Sequence, residues 1–139
     1  MYTEFNAAFK LKEGTPDNVI GEVKALCELP ISGGELECGG WPGMFMCHSY
    51  YFDADPHSTC RLDEITKQYH VTIRCNFKNY GSEIESFVDW IWPHVDLNDY
   101  DIFIGYKRYE EDDLPTLLLN KGGKVFWHRV PLDTRSWCD

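Results

Sequence analysis

The chain lacks any apolar run long enough to cross a bilayer, which needs about 20 residues, so no membrane-spanning helix is expected. Its first residues, Met1-Tyr2-Thr3-Glu4-Phe5-Asn6, carry neither a basic stretch nor an apolar core, so no export signal is expected there. Basic residues are also scarce: 13 Lys and Arg stand against 23 Asp and Glu. A formal charge of −10 disfavours direct contact with phosphate backbones, which takes clustered cations. There is no C-x-x-C pair, G-x-S-x-G, H-E-x-x-H, phosphate loop or dinucleotide fingerprint. The familiar routes to catalysis are therefore missing, and an enzyme is not the expected reading. No cofactor is expected.

Aromatic residues, by contrast, are abundant. Five Trp, eight Tyr and eight Phe in 139 residues exclude a disordered chain and supply ample core material. The length suits one domain, residues 1–139. Six cysteines, at 27, 38, 47, 60, 75 and 138, form an even set. Cys27 and Cys75 fall on faces expected to be buried, where Cys behaves as a small hydrophobe. With no export signal, free thiols in a reducing, cytoplasmic setting are expected. The sharpest metal alternative is Cys47-His48 with His57-x-x-Cys60. That spacing matches no zinc motif, and Cys47 and His48 would point to opposite faces of a strand. Asp96-x-Asn98-Asp99-x-Asp101 is no calcium loop, because its sixth position is Asp101 in place of Gly and its twelfth is Lys107 in place of Glu.

Periodicity organises the rest. Residues 2–12 alternate, with Phe5, Ala7, Phe9 and Leu11 on one side, and read as a half-buried strand. Thr15-Pro16-Asp17 reads as a helix start with Thr15 as the cap. Val19, Ile20, Val23, Leu26 and Cys27 make its apolar stripe, and Pro30 ends the run. The Gly-rich stretch 32–43 reads as a loop. Strands are expected at 44–52, 58–64 and 68–78; in the last, Val71, Ile73, Cys75 and Phe77 face the core. Ser82-x-x-Glu85 reads as a capping box before the stripe Ile84, Phe87, Val88 and Ile91. Strands at 101–109, 116–119 and 124–128 follow, the last two joined by Lys121-Gly122-Gly123-Lys124. The order β-α-β-β-β-α-β-β-β, with short connections, predicts an α+β fold: an antiparallel sheet with two helices packed on one face. Strand order is not legible.

The acids are unevenly placed. Residues 96–113 hold Asp96, Asp99, Asp101, Glu110, Glu111, Asp112 and Asp113 against two bases, half the total net charge. This run reads either as a solvated loop or as a contact surface for a basic groove on a partner. Trp41, Tyr50, Tyr51 and Phe52 cluster near one another, and any left exposed are natural anchors for a partner. Trp41 and Tyr51 join the seven acids as the expected partner-binding set.

Two stretches carry a resemblance. They are Phe77 to Ile91, FKNYGSEIESFVDWI, and Ile104 to Glu111, IGYKRYEE, with Pro115-Thr116-Leu117. They resemble small uncharacterised acidic proteins encoded in bacterial and phage genomes. That resemblance implies no catalytic residue; it implies a mobile-element setting, in which small acidic proteins block host defence. The resulting expectation is a binding protein, anti-CRISPR-like, that occupies a basic surface on a host complex such as a CRISPR effector, without touching nucleic acid or membrane. The alternatives are an immunity protein that plugs a toxin, or a small Cys/His-dependent hydrolase.

Overall fold

In a computed structural model, which describes residues 1–97 and 102–131, the alternating pattern of residues 2–12 becomes strand β1 (Thr3–Lys10). It is followed by helix α1 (Asp17–Cys27), strands β2 (Thr59–Leu62) and β3 (Tyr69–Phe77), and helix α2 (Glu83–Ile91). Strands β4 (Phe103–Tyr109), β5 (Thr116–Lys121) and β6 (Lys124–Arg129) complete it. The six strands form one antiparallel sheet in the order β2-β3-β1-β4-β5-β6. The fold is α+β, as the patterning predicts.

Phe5 and Ala7 of β1, with Val71, Ile73 and Cys75 of β3, turn to one face of the sheet and are buried. The stripes Val19, Val23, Leu26 of α1 and Ile84, Phe87, Val88, Ile91 of α2 meet them there in a single core. Phe45 lies at its centre, edge-on to Phe87 at 4.7 Å and 6.0 Å from Phe5. Two helices, each about 10 Å across, cover only about four strands spaced ~4.8 Å apart. Among the described residues the opposite face of the sheet carries no helix.

Three local expectations change. Residues 44–52 form no strand. Met44–Met46 is a single 3-10 turn entered through Gly43 at φ 81°. Met44 and Phe45 are consecutive and both fully buried, which a strand with one solvent face does not allow. The chain then rounds the free edge of β3: the Asn76 N–H donates to the Cys47 carbonyl, and the Ser49 N–H donates to Asn76 Oδ1. That crossing explains why Asn76, expected to face outward, is buried.

Helix α1 begins one residue later than its pattern suggests. Pro16 stands at the cap, and the Thr15 hydroxyl donates back to the Lys12 carbonyl. Ser82-x-x-Glu85 is no capping box either. Ser82 sits at φ 58° with no side-chain cap. Asn79 Oδ1 accepts from the Ile84 N–H in its place, while the Asn79 amide donates to Glu85. Asn79→Ala is therefore expected to cost about 1 kcal/mol, and Ser82→Ala close to nothing, in urea denaturation. Equal losses, or a larger loss at Ser82, would restore the capping box.

β4 pairs with β5 across a bulge between Phe103 and Gly105, while its pairing with β1 stays in register. The bulge leaves Ile104 buried and Phe103 59% exposed. A Cβ on Gly105 would stand 2.1 Å from the Asn6 carbonyl oxygen, so only glycine fits.

Candidate functional site

The hairpin turn between β4 and β5 carries Glu110, Glu111, Asp112 and Asp113. Because β1 lies beside β4, the start of the chain packs against this turn. The Glu110 N–H donates to the Tyr2 carbonyl, and the Tyr2 N–H donates to Glu110 Oε1 at 3.0 Å. The Glu110 side chain is 8% exposed. It fixes the turn from within and offers no charge to a partner. Glu111 and Asp113 are exposed and Asp112 is half-buried. Among the described residues none of these three forms an ion pair.

Tyrosines surround the turn. The Tyr51 ring lies 5.6 Å from that of Tyr2 and is itself 67% exposed. Tyr80 is 72% exposed, and its hydroxyl accepts from the Met1 nitrogen, which lies beside Glu110. Partial desolvation raises the Tyr109 phenol pKa, and the carboxylates of Glu111 and Glu110 raise it further. Tyr50, fully exposed, precedes Tyr51. The sequence pointed to Tyr51 but not to Tyr2 or Tyr80. Their only signal was an outward position at a strand start and a place in the Asn79-Tyr80-Gly81 turn.

The other expected contact residues fall elsewhere. The Asp96 N–H donates to the Lys10 carbonyl, eight β1 residues from Tyr2. That is about 26 Å from the acid turn, several times the ~8 Å screening length at physiological salt. Asp96 is also held by the Gln68 amide at 2.6 Å. The acidic stretch 96–113 is thus not one patch. Asp99 and Asp101 lie outside the described residues. Trp41 is half-buried and stands edge-on to Phe77 at 5.6 Å, packed against the core.

A groove of about 410 Å³ runs beside the turn, walled by Glu111, Asp113, Leu114, Pro115, Arg129 and Val130. Next to it, a second cleft of about 460 Å³ opens toward the start of α2. Lys107, Thr116 and Arg129 form a row across three strands there. Lys107 Nζ pairs with Glu85 and lies 4.4 Å from the Trp127 ring centre. Burial alone would raise the Glu85 pKa, but Lys107 and Asn79 outweigh it and hold the carboxyl below its ordinary value. The stabilisation from this pair is present above the ordinary carboxylate range and is lost as pH falls through the depressed value.

Cys27, Cys38, Cys47, Cys60 and Cys75 are free thiols. Burial pushes Cys27 and Cys38 up to about 12 and Cys60 to about 11, and raises Cys47 and Cys75 as well. Among the described residues no three His, Cys, Asp or Glu side chains gather in a way that could hold a metal ion, so Cys47, His48, His57 and Cys60 do not form such a group. A thiol near 12 carries roughly a thousandfold less thiolate at pH 7 than free cysteine. In a Cys138→Ser variant, Cys27, Cys38 and Cys60 are expected to react with Ellman's reagent at least about a hundredfold more slowly than free cysteine, and Cys47 and Cys75 more slowly than free cysteine. One thiol reacting at the free rate would reopen a nucleophilic role.

No helix among the described residues is long and apolar enough to cross a membrane. No protein-family model, curated protein or solved structure matches the chain.

Proposed function

We propose that this chain is a non-enzymatic binding protein that occupies a basic surface of a partner through the β4–β5 turn. The observation that carries this reading is the placement of Glu111, Asp112 and Asp113, none of which forms an ion pair among the described residues, beside the exposed rings of Tyr51 and Tyr80. Carboxylates steer a basic partner by long-range attraction. Tyrosine then supplies contact area at low entropic cost, with a hydroxyl for the wet rim. The raised thiol pKa values favour contact over Cys-dependent chemistry.

The partner class that fits is a nucleic-acid-handling complex, whose cationic groove is shaped for an extended polyanion. In the mobile-element setting suggested by the resemblance, that partner is a host defence complex such as a CRISPR effector, and the chain acts as its inhibitor.

The test is affinity capture from host lysate at low and moderate salt. Wild type is run beside a variant with Glu111, Asp112 and Asp113 all changed to Ser. Glu110 is left intact because it holds the turn. The expected result is a basic, nucleic-acid-binding complex captured by the wild type and lost by the variant. With that partner purified, the association rate should fall about tenfold or more between about 50 and 300 mM salt. Capture of a single toxin would move the reading to an immunity protein. Capture unaffected by the variant, or a salt-insensitive rate, would remove the acid turn from the mechanism.

A further inference from the structure

The face of the sheet opposite α1 and α2 holds a concavity of about 280 Å³ that the acid turn does not use. Its origin lies in the backbone. Gly105 lies tight against β1, with no room for a Cβ, so it lends the floor bare backbone, and Ala8 adds only a methyl group. Bulges concentrate beside functional sites, where they re-aim a side chain. Here the bulge turns Phe103 outward to form one wall.

The opposite wall is a row across three strands, Arg74–Asn6–Tyr106, set by the pairings of Asn6 with Arg74 and with Tyr106. The Asn6 amide donates to the Tyr106 hydroxyl at 3.0 Å and holds that ring in place. Arg74 Nε donates to the Asp55 carbonyl at 3.1 Å, which anchors the guanidinium at the rim. Among the described residues Arg74 forms no ion pair. The exposed His57 lies beside it, its N–H donating to the Arg74 carbonyl.

We propose that this concavity is a binding site for a small aromatic carboxylate. The ring would lie on Ala8 and Gly105 between Phe103 and Tyr106. The carboxylate would meet the anchored Arg74 guanidinium, with His57 beside it. The volume is near the small end of the range for small-molecule sites, about 300 Å³, and the mix of apolar walls with a few convergent polar groups is what such sites present. A guanidinium matches a carboxylate bidentately through two parallel N–H donors.

The test is an amide NMR titration of the whole protein with benzoate, benzylamine and acetate as probes. The expected result is saturable benzoate binding with Kd of about 1 mM or tighter. Shifts should centre on Ala8, Thr72, Arg74, Gly105 and Tyr106. Acetate, without the ring, and benzylamine, with the wrong charge, should each bind at least about tenfold more weakly. Arg74→Gln should weaken benzoate about tenfold or more, and Ala8→Phe, which fills the floor, should abolish its shifts. A denaturation midpoint for each variant separates lost binding from lost folding. No saturable shift up to about 20 mM benzoate, equal binding of benzylamine, or shifts centred elsewhere would overturn the site. Each of these outcomes leaves the acid-turn reading untouched, because that reading uses none of these residues.

Discussion

Phe45→Ala is expected to cost about 3–5 kcal/mol of folding stability. The ring is fully buried and links the sheet, through Phe5, to α2, through Phe87. Removing it forfeits the transfer energy of an aromatic side chain, the edge-to-face contact, and the packing around the space left behind. A domain of this size holds only about 5–15 kcal/mol in total, so the urea midpoint should fall by about a fifth or more. A loss under about 1 kcal/mol would mean that Phe45 is not in the core. In that case the turn at residues 44–46 would not enter the core.

Gly105→Val should be at least as damaging, with a loss above about 4 kcal/mol or failure to fold. Its cause is different. Backbone atoms, the Asn6 carbonyl oxygen at 2.1 Å and Ala7 Cα at 2.7 Å, occupy the place of any Cβ. No rotamer change relieves that clash, so β4 must leave β1 or lose its register. The change would also remove the contact that presents the acid turn to Tyr2. Gly21→Ala is the control. Gly21 lies on the exposed side of α1 with open space where its Cβ would go, and alanine there should gain about 0.5–1 kcal/mol. A folded Gly105→Val protein with an unchanged midpoint would contradict the β1–β4 pairing.

Much of the architecture was legible because burial imposes a period. Val71, Ile73, Cys75 and Phe77 alternate along β3, and Ile84, Phe87, Val88 and Ile91 recur along α2, as the core requires. Period reveals which face a residue takes, not which strand lies next to it. Nothing local signals that β1 sits between β3 and β4, and that placement alone brings Tyr2 to Glu110, 108 residues away. Hence the sequence counted Glu110 as a contact residue, although its carboxylate is consumed inside the fold. It also merged Asp96 with the acid turn, because adjacency along the chain hides the length of β4 between them.

The same gap between local pattern and tertiary context misled the reading of residues 44–52 and of the α2 cap. Aromatic density resembles a strand, yet Phe45 and Phe52 serve opposite faces of the sheet. Phe45 enters the core, while Phe52 covers the Arg108 guanidinium at 5.1 Å from its ring centre. Ser82 and Glu85 stand at capping-box spacing, but Asn79 reaches Ile84 first and Lys107 draws Glu85 away. The bulge at Gly105, and the concavity it forms, left no mark beyond one glycine within a strand.

The central claim is that the β4–β5 turn and its tyrosines form the contact surface. Hydrogen exchange on the protein alone and bound to its captured partner tests it most directly. Protection gained at residues 110–115, with Tyr50–Tyr51 and Asn79–Gly81, and absent when Glu111, Asp112 and Asp113 are changed to Ser, is the result predicted. Protection gained on the outer faces of α1 and α2, with the turn exchanging as freely as before, would contradict the account.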